Sequence, residues 1–329
     1  MKRAAIIHYT DRGAQTAAQI AEVLKEEFEI EQYRTRCKLD ELFGAVDALI
    51  YVGACGIAVR AIAPHLKSKT TDPAVIVTDE RGLNVISLLS GHIGGANELT
   101  RRIAAAIGGN PVVTTATDVN NRFAVDEWAA KHGLAISSMQ AAKRFAMEIL
   151  KRDLPMISDF TVHGELPGGV IYGDEGACGL MISCKDSAVF GTTVKLIPKI
   201  LHVGIGCRRG TPAEKIEAAV RLALASENLH REAVKAVASI DVKKDEMGLL
   251  AFADQCKLPI SFYSAEELLN VRGEFTASAF VKSTVGVDNV CERAAMLSAG
   301  ENAELIVKKT CLEGVTVAIA QEEWSVCFE

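Results

Sequence analysis

Aromatic residues make up only 5% of this chain, and they are scattered along it. Binding nucleic acid by base stacking calls for aromatic and basic side chains interleaved, so that class is disfavoured. The formal net charge of -6 argues equally against a sequence-independent nucleic-acid surface. Long apolar runs are missing too. The stretches Ala45–Ala58 and Ala74–Leu89 are broken by Gly, Asp or Arg well short of the ~20 residues that cross a bilayer. Near the start, the apolar run Ala4–Ile7 is stopped at once by His8, Thr10, Asp11 and Arg12, which reads as a first strand and not as a leader. Nine cysteines are present, yet no Cys-x-x-Cys pair occurs, so zinc ribbons and cysteine-ligated iron–sulfur clusters are poorly supported. An odd number of cysteines without a leader suits reduced thiols, and the expected location is cytoplasmic.

What is present is apolar material for a sizeable core: 49% hydrophobic residues in 329, with 24% charged. That length favours more than one domain. The first segment, 1–133, alternates short β-like runs with helical patterns. Strands are expected at Ala4–Tyr9, Asp47–Ala54, Ala74–Thr78, Asn84–Leu89 and Pro111–Thr115. Helices are expected over Gln15–Glu27, Ile57–Ala63, from the glycine-rich Ser90–Gly95 to Ile107, and over Phe123–Lys131. Repeated β-α units predict a mainly parallel sheet with helices on both faces. The signal weakens over 134–199, where one helix, Met139–Lys151 capped by Ser138, is followed by Gly- and Pro-rich passages; a small α+β middle domain and a linker both fit. A second β-α series fills 200–329. Thr211, Pro212 and Glu214 are read as N-cap, first helical residue and capping box. Ser264 repeats that logic, Asp288 caps a helix to Ser298, and Ala303–Lys309 with Val315–Ala320 reads as a closing hairpin. The fold class expected is therefore α/β, two domains rich in parallel sheet joined by a small α+β segment.

The chemistry-bearing residues gather at expected strand ends. Ser90-Gly91-His92-Ile93-Gly94-Gly95-Ala96-Asn97 follows a strand and opens a helix; glycine lets backbone approach a ligand, and a helix N-terminus offers free N–H groups. His92 is the one side chain there that titrates near neutrality, although a tight turn with a structural histidine fits as well. Gly53, Cys55, Gly56 and Arg60 repeat the device at an earlier strand end, with Arg60 suited to clamping a carboxylate and Cys55 more readily a small apolar filler than a nucleophile. Thr114, Thr115 and Asp118 lie at a third end and Asp79 at a fourth, places where open α/β sheets bind ligands; Asp79 reads equally as a turn residue. In the last segment His202, Gly204, Gly206, Cys207, Arg208 and Arg209 form a further glycine-opened turn. It lacks the lysine of a phosphate loop and the dinucleotide-binding pattern, which points to an anion other than a nucleotide. Thr284 and Glu292 add a polar edge, or simply a helix start. No clear adenosylmethionine-binding signature occurs.

Together GACGIAVRAIAPHL (Gly53–Leu66), VTDERGLNVISLLSGHIGGANELTRRIA (Val77–Ala104), TTATDVNNRFAVDEWA (Thr114–Ala129), HVGIGCRRGT (His202–Thr211) and TVGVDNVCERAA (Thr284–Ala295) resemble the cobalt-precorrin 5A hydrolases of anaerobic cobalamin synthesis, the CbiG family. The resemblance runs in order through the first and last segments; the GIGCRRGT passage is shared with shorter, aerobic-pathway relatives. It implies a hydrolase that opens the ring-A δ-lactone of a cobalt-bearing tetrapyrrole and releases acetaldehyde. On that reading His92 is the base or proton shuttle, Asp79 or Asp118 orients it, and the Gly94 and Gly95 amides stabilise the oxyanion. The glycine-turn residues, with Asn97, Thr114, Thr115, His202 and Glu292, would line the substrate, and Arg60, Arg101, Arg102, Arg122, Arg208 and Arg209 would meet its carboxylates. Cobalt arrives inside the substrate, so no cofactor and no protein metal site are expected. The partners implied are the tetrapyrrole and neighbouring pathway enzymes, with a homodimer left open and no nucleic acid or membrane. The alternative is a tetrapyrrole carrier without turnover.

Overall fold

The computed structural model describes residues 1–35, 39–68, 71–92 and 94–328. The chain divides into two compact units, Met1–Lys131 and His132–Glu329. In the first, the elements run β1 (Lys2–His8), α1 (Asp11–Leu24), β2 (Phe28–Arg34), α2 (Leu39–Leu42), β3 (Ala48–Val52), α3 (Cys55–Ile62), β4 (Ala74–Thr78), β5 (Asn84–Leu89), α4 (Ala96–Ile107), β6 (Asn110–Val112), α5 (Ala116–Val119) and α6 (Val125–Lys131). The six strands form one sheet in the order β2-β1-β3-β4-β5-β6. Strand β1 is apolar on both faces because each face is covered: Ala4 and Ile6 pack with Ile20, Leu24 and Ile103, whereas Ala5 and Ile7 pack with Ala58 and Ile62. A strand buried on both sides reads as a continuous apolar run, which is why β1, β3 and β4 stand out in the sequence.

Strand β2 was not expected. Its sequence, FEIEQYR, alternates polar with apolar residues at a sheet edge where most side chains are exposed, so it lacks the apolar run that marks its neighbours. The strand expected over Pro111–Thr115 is the three-residue β6, and Thr115 instead leads into α5. The decisive departure is β5, which runs antiparallel to β4, while every other pairing in this sheet is parallel.

The second unit contains β7 (Ala135–Ile136), α7 (Met139–Glu148), β8 (Leu154–Ser158), β9 (Val162–Gly164), β10 (Val170–Tyr172), β11 (Gly179–Ile182), β12 (Thr193–Ile197), β13 (Leu201–Cys207), α8 (Ala213–Ser226), β14 (Val234–Ile240), α9 (Met247–Cys256), β15 (Ile260–Tyr263), α10 (Ala265–Asn270), α11 (Ala279–Val285), α12 (Cys291–Ala299), β16 (Glu304–Leu312), β17 (Val315–Gln321) and β18 (Val326–Phe328). One five-stranded sheet, β10-β8-β11-β12-β7, is parallel except at β7. A second, β15-β14-β13-β17-β16, closes on the antiparallel β16–β17 hairpin. Cys184 and Ile197 share a core with Val203 and Ile216, and β18 pairs with β9, so the stretch 134–199 and the C-terminal sheet are built together.

Side-chain caps open several of the helices. Ser138 accepts from Ala141, and Ser264 forms a full capping box with Glu267. Two expected caps are corrected. Helix α8 begins after Pro212 without a side-chain cap, because the Thr211 hydroxyl donates to the Arg208 carbonyl instead. At α12 it is Asn289, not Asp288, whose side chain accepts the Glu292 amide (2.9 Å), since Asp288 is held by Arg293.

A histidine and carboxylate cluster as the candidate active site

Strand β5 delivers the chain to the edge of the sheet where β4 begins, with Leu89 opposite Val75, and Ser90 donates to the Asp72 carbonyl (3.0 Å). The turn that follows folds tightly on itself. Ser90 has φ 57°, and the amides of Gly95, Ala96 and Asn97 donate to the carbonyls of His92, Ser90 and Gly91. A Cβ on Gly94 would lie 2.4 Å from that of Ser90, and one on Gly91 would lie 2.7 Å from the Asn97 amide oxygen. These glycines are thus required by the turn's own packing. The Gly95 N–H, expected as an oxyanion donor, is already taken by the His92 carbonyl.

The His92 ring is held at both nitrogens. Nε2 lies 3.2 Å from Asp118 Oδ2, 3.1 Å from the Thr117 hydroxyl and 3.8 Å from Glu127 Oε2; Nδ1 lies 3.4 Å from Asp126 Oδ1. The four ionisable side chains are only 12–21% exposed. Asp118 comes from α5, and Asp126 and Glu127 from the first turn of α6. Buried Asn97 joins α4 to the same cluster. It accepts from Ser87 (2.7 Å) and donates to Thr115 (3.1 Å) and Asp118 (3.0 Å), and Arg101 pairs with the other Asp118 oxygen. The hydrogen bond to Asp126 raises the His92 pKa above its ordinary value, outweighing the burial that lowers it. Burial raises the Glu127 carboxyl. His92, Gly94, Gly95 and Glu127 line a cleft of about 520 Å³ together with Lys2, Asp72, Glu98 and Arg102. A positioned imidazole beside carboxylates and an open cleft is equipped to move a proton to or from a bound water.

Asp126 and Glu127 are the members that sequence reasoning missed. An acidic pair in a helix's first turn reads as a complement to the helix dipole, and only the fold brings it to His92. Asp79 is a correction in the other direction. Its carboxylate accepts from the amides of Arg81 (3.0 Å) and Asn84 (2.8 Å) in the β4–β5 turn. Burial raises that carboxyl, but these backbone donors outweigh it and hold it below its ordinary value. Asp79 follows the end of β4, whereas Ser90 leaves β5 beside the start of β4, and a five-residue strand spans roughly 15 Å between those ends. Gly53, Cys55, Gly56 and Arg60 share the edge with Asp79, where exposed Arg60 donates to the Gly56 carbonyl (3.1 Å). Thr114 is exposed beside the cluster.

In the second unit several nominated residues serve packing. His202 is 5% exposed, with Ser298 2.7 Å from one ring nitrogen and Glu322 3.1 Å from the other. A Cβ on Gly204 would lie 1.8 Å from the Cys291 carbonyl, and one on Gly206 2.6 Å from the Thr316 hydroxyl, so both admit the close approach of neighbouring elements. Glu292 is fully buried and accepts from Thr276, Asn289 and the Lys309 amide. Burial raises the Cys207 thiol pKa. Arg208 packs by Gly314, Arg209 pairs with Asp245 at 3.3 Å, and Thr284 is exposed on α11. Among the described residues, no helix is long and apolar enough to cross a membrane.

Two stretches of the chain match known family models. Residues 38–118 match the family model "Cobalamin synthesis G N-terminal" and residues 201–320 match "Cobalamin synthesis G C-terminus". Cobalt-precorrin-5A hydrolase of Salmonella typhimurium is 36% identical over 85% of this chain and 83% of its own. The Priestia megaterium protein of the same name is 35% identical over 87% and 81%. A crystal structure of a cobalamin biosynthesis protein G homologue from Sulfolobus solfataricus is 24% identical over 97% of each chain, with a TM-score of 0.44. Identity above one third across more than four fifths of two curated relatives establishes that this chain belongs to the CbiG family of cobalt-precorrin-5A hydrolases.

Proposed function

We propose that this chain is a cobalt-precorrin-5A hydrolase, which opens the ring-A δ-lactone of a cobalt-bearing tetrapyrrole with water and releases acetaldehyde to give cobalt-precorrin 5B. The observation that carries the site is His92, set on a cleft wall with Asp118 and Asp126 at its two ring nitrogens. Asp126 orients the ring through Nδ1, and Asp118, itself steadied by Asn97 and Arg101, faces Nε2. His92 takes a proton from the attacking water and returns one to the departing ring oxygen. Breaking the acyl–oxygen bond leaves a carboxylate and a hydroxyl. Loss of the hydroxyl proton then cleaves the carbon–carbon bond to the macrocycle, whose conjugated ring keeps the bonding pair, and the two-carbon unit departs as acetaldehyde. Gly94, on the cleft wall, offers its backbone N–H to the oxyanion. The substrate carries its own cobalt, and we place the reaction in the cytoplasm, where thiols stay reduced.

The test is to add the purified protein to the cobalt-bound lactone and trap acetaldehyde. Stoichiometric release supports the hydrolase. Tight binding of the lactone with no release identifies a carrier and rejects the reading.

A further inference from the structure

We infer that His92, Asp118 and Glu127 together hold one divalent first-row transition-metal ion, with Asp126 steadying the histidine from behind. The chemistry of that ion rests on the hydrolase reading; its binding does not. It departs from the expectation, drawn from the sequence, of no protein metal site.

The first argument is where the ring nitrogens point. Nδ1 lies 3.4 Å from Asp126 Oδ1, so with the ring proton there Nε2 has a lone pair to offer. Around Nε2 lie Asp118 Oδ2 at 3.2 Å, Glu127 Oε2 at 3.8 Å and the Thr117 hydroxyl at 3.1 Å. A proton on Nε2 serves one of these oxygens at a time. An ion binds the imidazole and both carboxylates at once.

The second argument is distance. With bonds of about 2.1 Å, the ligands of a four-coordinate ion lie roughly 3.4 Å apart. The two separations from Nε2 bracket that value, and the three ligand atoms lie within 4.8 Å of one another, so small side-chain rotations complete the geometry. A third argument is the state of the carboxylates. Asp118 receives Asn97 and Arg101 on its remaining lone pairs, and Asn97 is itself anchored by Ser87 and Thr115. Metal ligands are commonly oriented by an outer layer of this kind, as is the histidine by Asp126. Glu127 has no such anchor among the described residues: it meets the His92 ring, with the Arg101 charge acting on it from further off. One imidazole with two carboxylates suits zinc and its neighbours in the first row.

His92 and Glu127 both line the cleft, so a water completing the coordination shell meets the substrate there. Water on such an ion loses its proton far more readily than free water. The resulting hydroxide adds to the lactone carbonyl, the acyl–oxygen bond breaks, and the proton of the new acid passes to the ring alkoxide. The products are a carboxylate and a hydroxyl, with no oxidant or reductant consumed. With the ion bound, His92 is a ligand and the ion-bound water supplies the nucleophile; without the ion, His92 is the base described above.

The experiment uses chelator-stripped full-length protein titrated with zinc by calorimetry, with elemental analysis after gel filtration and circular dichroism on every variant. One zinc per chain is expected, bound at least 100-fold more weakly in His92→Ala and in Glu127→Gln, and about 10–100-fold more weakly in Asp126→Asn. If His92→Ala does not fold, Glu127→Gln decides alone. Failure of the wild type to retain zinc overturns the site, as does retention unchanged in the variants; the self-contained cluster, an imidazolium with Glu127 protonated, then stands. Acetaldehyde release lost on stripping and restored by zinc supports the metal-bound nucleophile, and full release from stripped protein overturns it. Variant-sensitive zinc binding without any acetaldehyde release rejects the hydrolase reading while upholding the ion site.

Discussion

Leu89 lies opposite Val75 in an antiparallel register, and that pairing separates two groups of residues that the sequence places in one site. Because β5 reverses the chain, Ser90–Asn97 emerges where β1, β3 and β4 begin. Gly53–Arg60 and Asp79 lie where β3 and β4 end. The His92 cluster is therefore gathered at one edge of the sheet, and Asp79 lies outside it.

His92→Ala should lower acetaldehyde release by two orders of magnitude or more, whether the ring moves a proton or holds an ion. Asp79→Ala should leave turnover within a few-fold of wild type, and should cost about 1–2 kcal/mol of stability through its two lost backbone hydrogen bonds. Turnover and urea unfolding on the same preparations check both. Equal loss of activity in the two variants would contradict the placement of Asp79.

Gly204→Ala should destabilise the second unit by about 2–3 kcal/mol. Its Cβ would fall 1.8 Å from the Cys291 carbonyl, so α12 must move away from β13. A lowered urea midpoint with unchanged lactone affinity is the expected result. Weaker lactone binding at full stability would restore a substrate role to that turn.

Acid should weaken the fold through His202. Burial is the largest influence on it and lowers its pKa below the ordinary value of about 6.5. As pH falls through that value the unfolded chain takes up a proton that the folded chain refuses, so this contribution is complete above it and is lost below. Urea unfolding at pH 7.5 and 5.5 should show a smaller drop in His202→Gln than in wild type. An identical drop would mean that His202 does not carry this dependence.

Cys184 and Cys291 should resist thiol reagents in the native protein at pH 8, because burial pushes both thiols up to about 12, and the thiolate is the reactive form. Exposed Cys311 should react readily. Mass spectrometry after brief alkylation reads each site; rapid labelling of Cys291 would show that α12 opens in the native state.

The sequence by itself determined the elements with a strong local cause. Strands β4 and β5 stand at the limits their apolar runs predict, and Ser138 and Ser264 cap the helices they precede. The SGHIGGAN turn was legible because its glycines answer to short-range packing. The edge strand β2, the absent cap at Thr211, and Asp126 and Glu127 were not legible, since each depends on neighbours distant in the chain. The five residues 79–83 between β4 and β5 are too few for a parallel crossover, so the reversal of β5 was available from the sequence. Tertiary structure alone decided what the reversed strand meets, through the hydrogen-bonded register that sets it against β4 on one side and β6 on the other. The same register brings His92 to the carboxylates of α5 and α6 and leaves Asp79 to close a turn at the other end of the sheet.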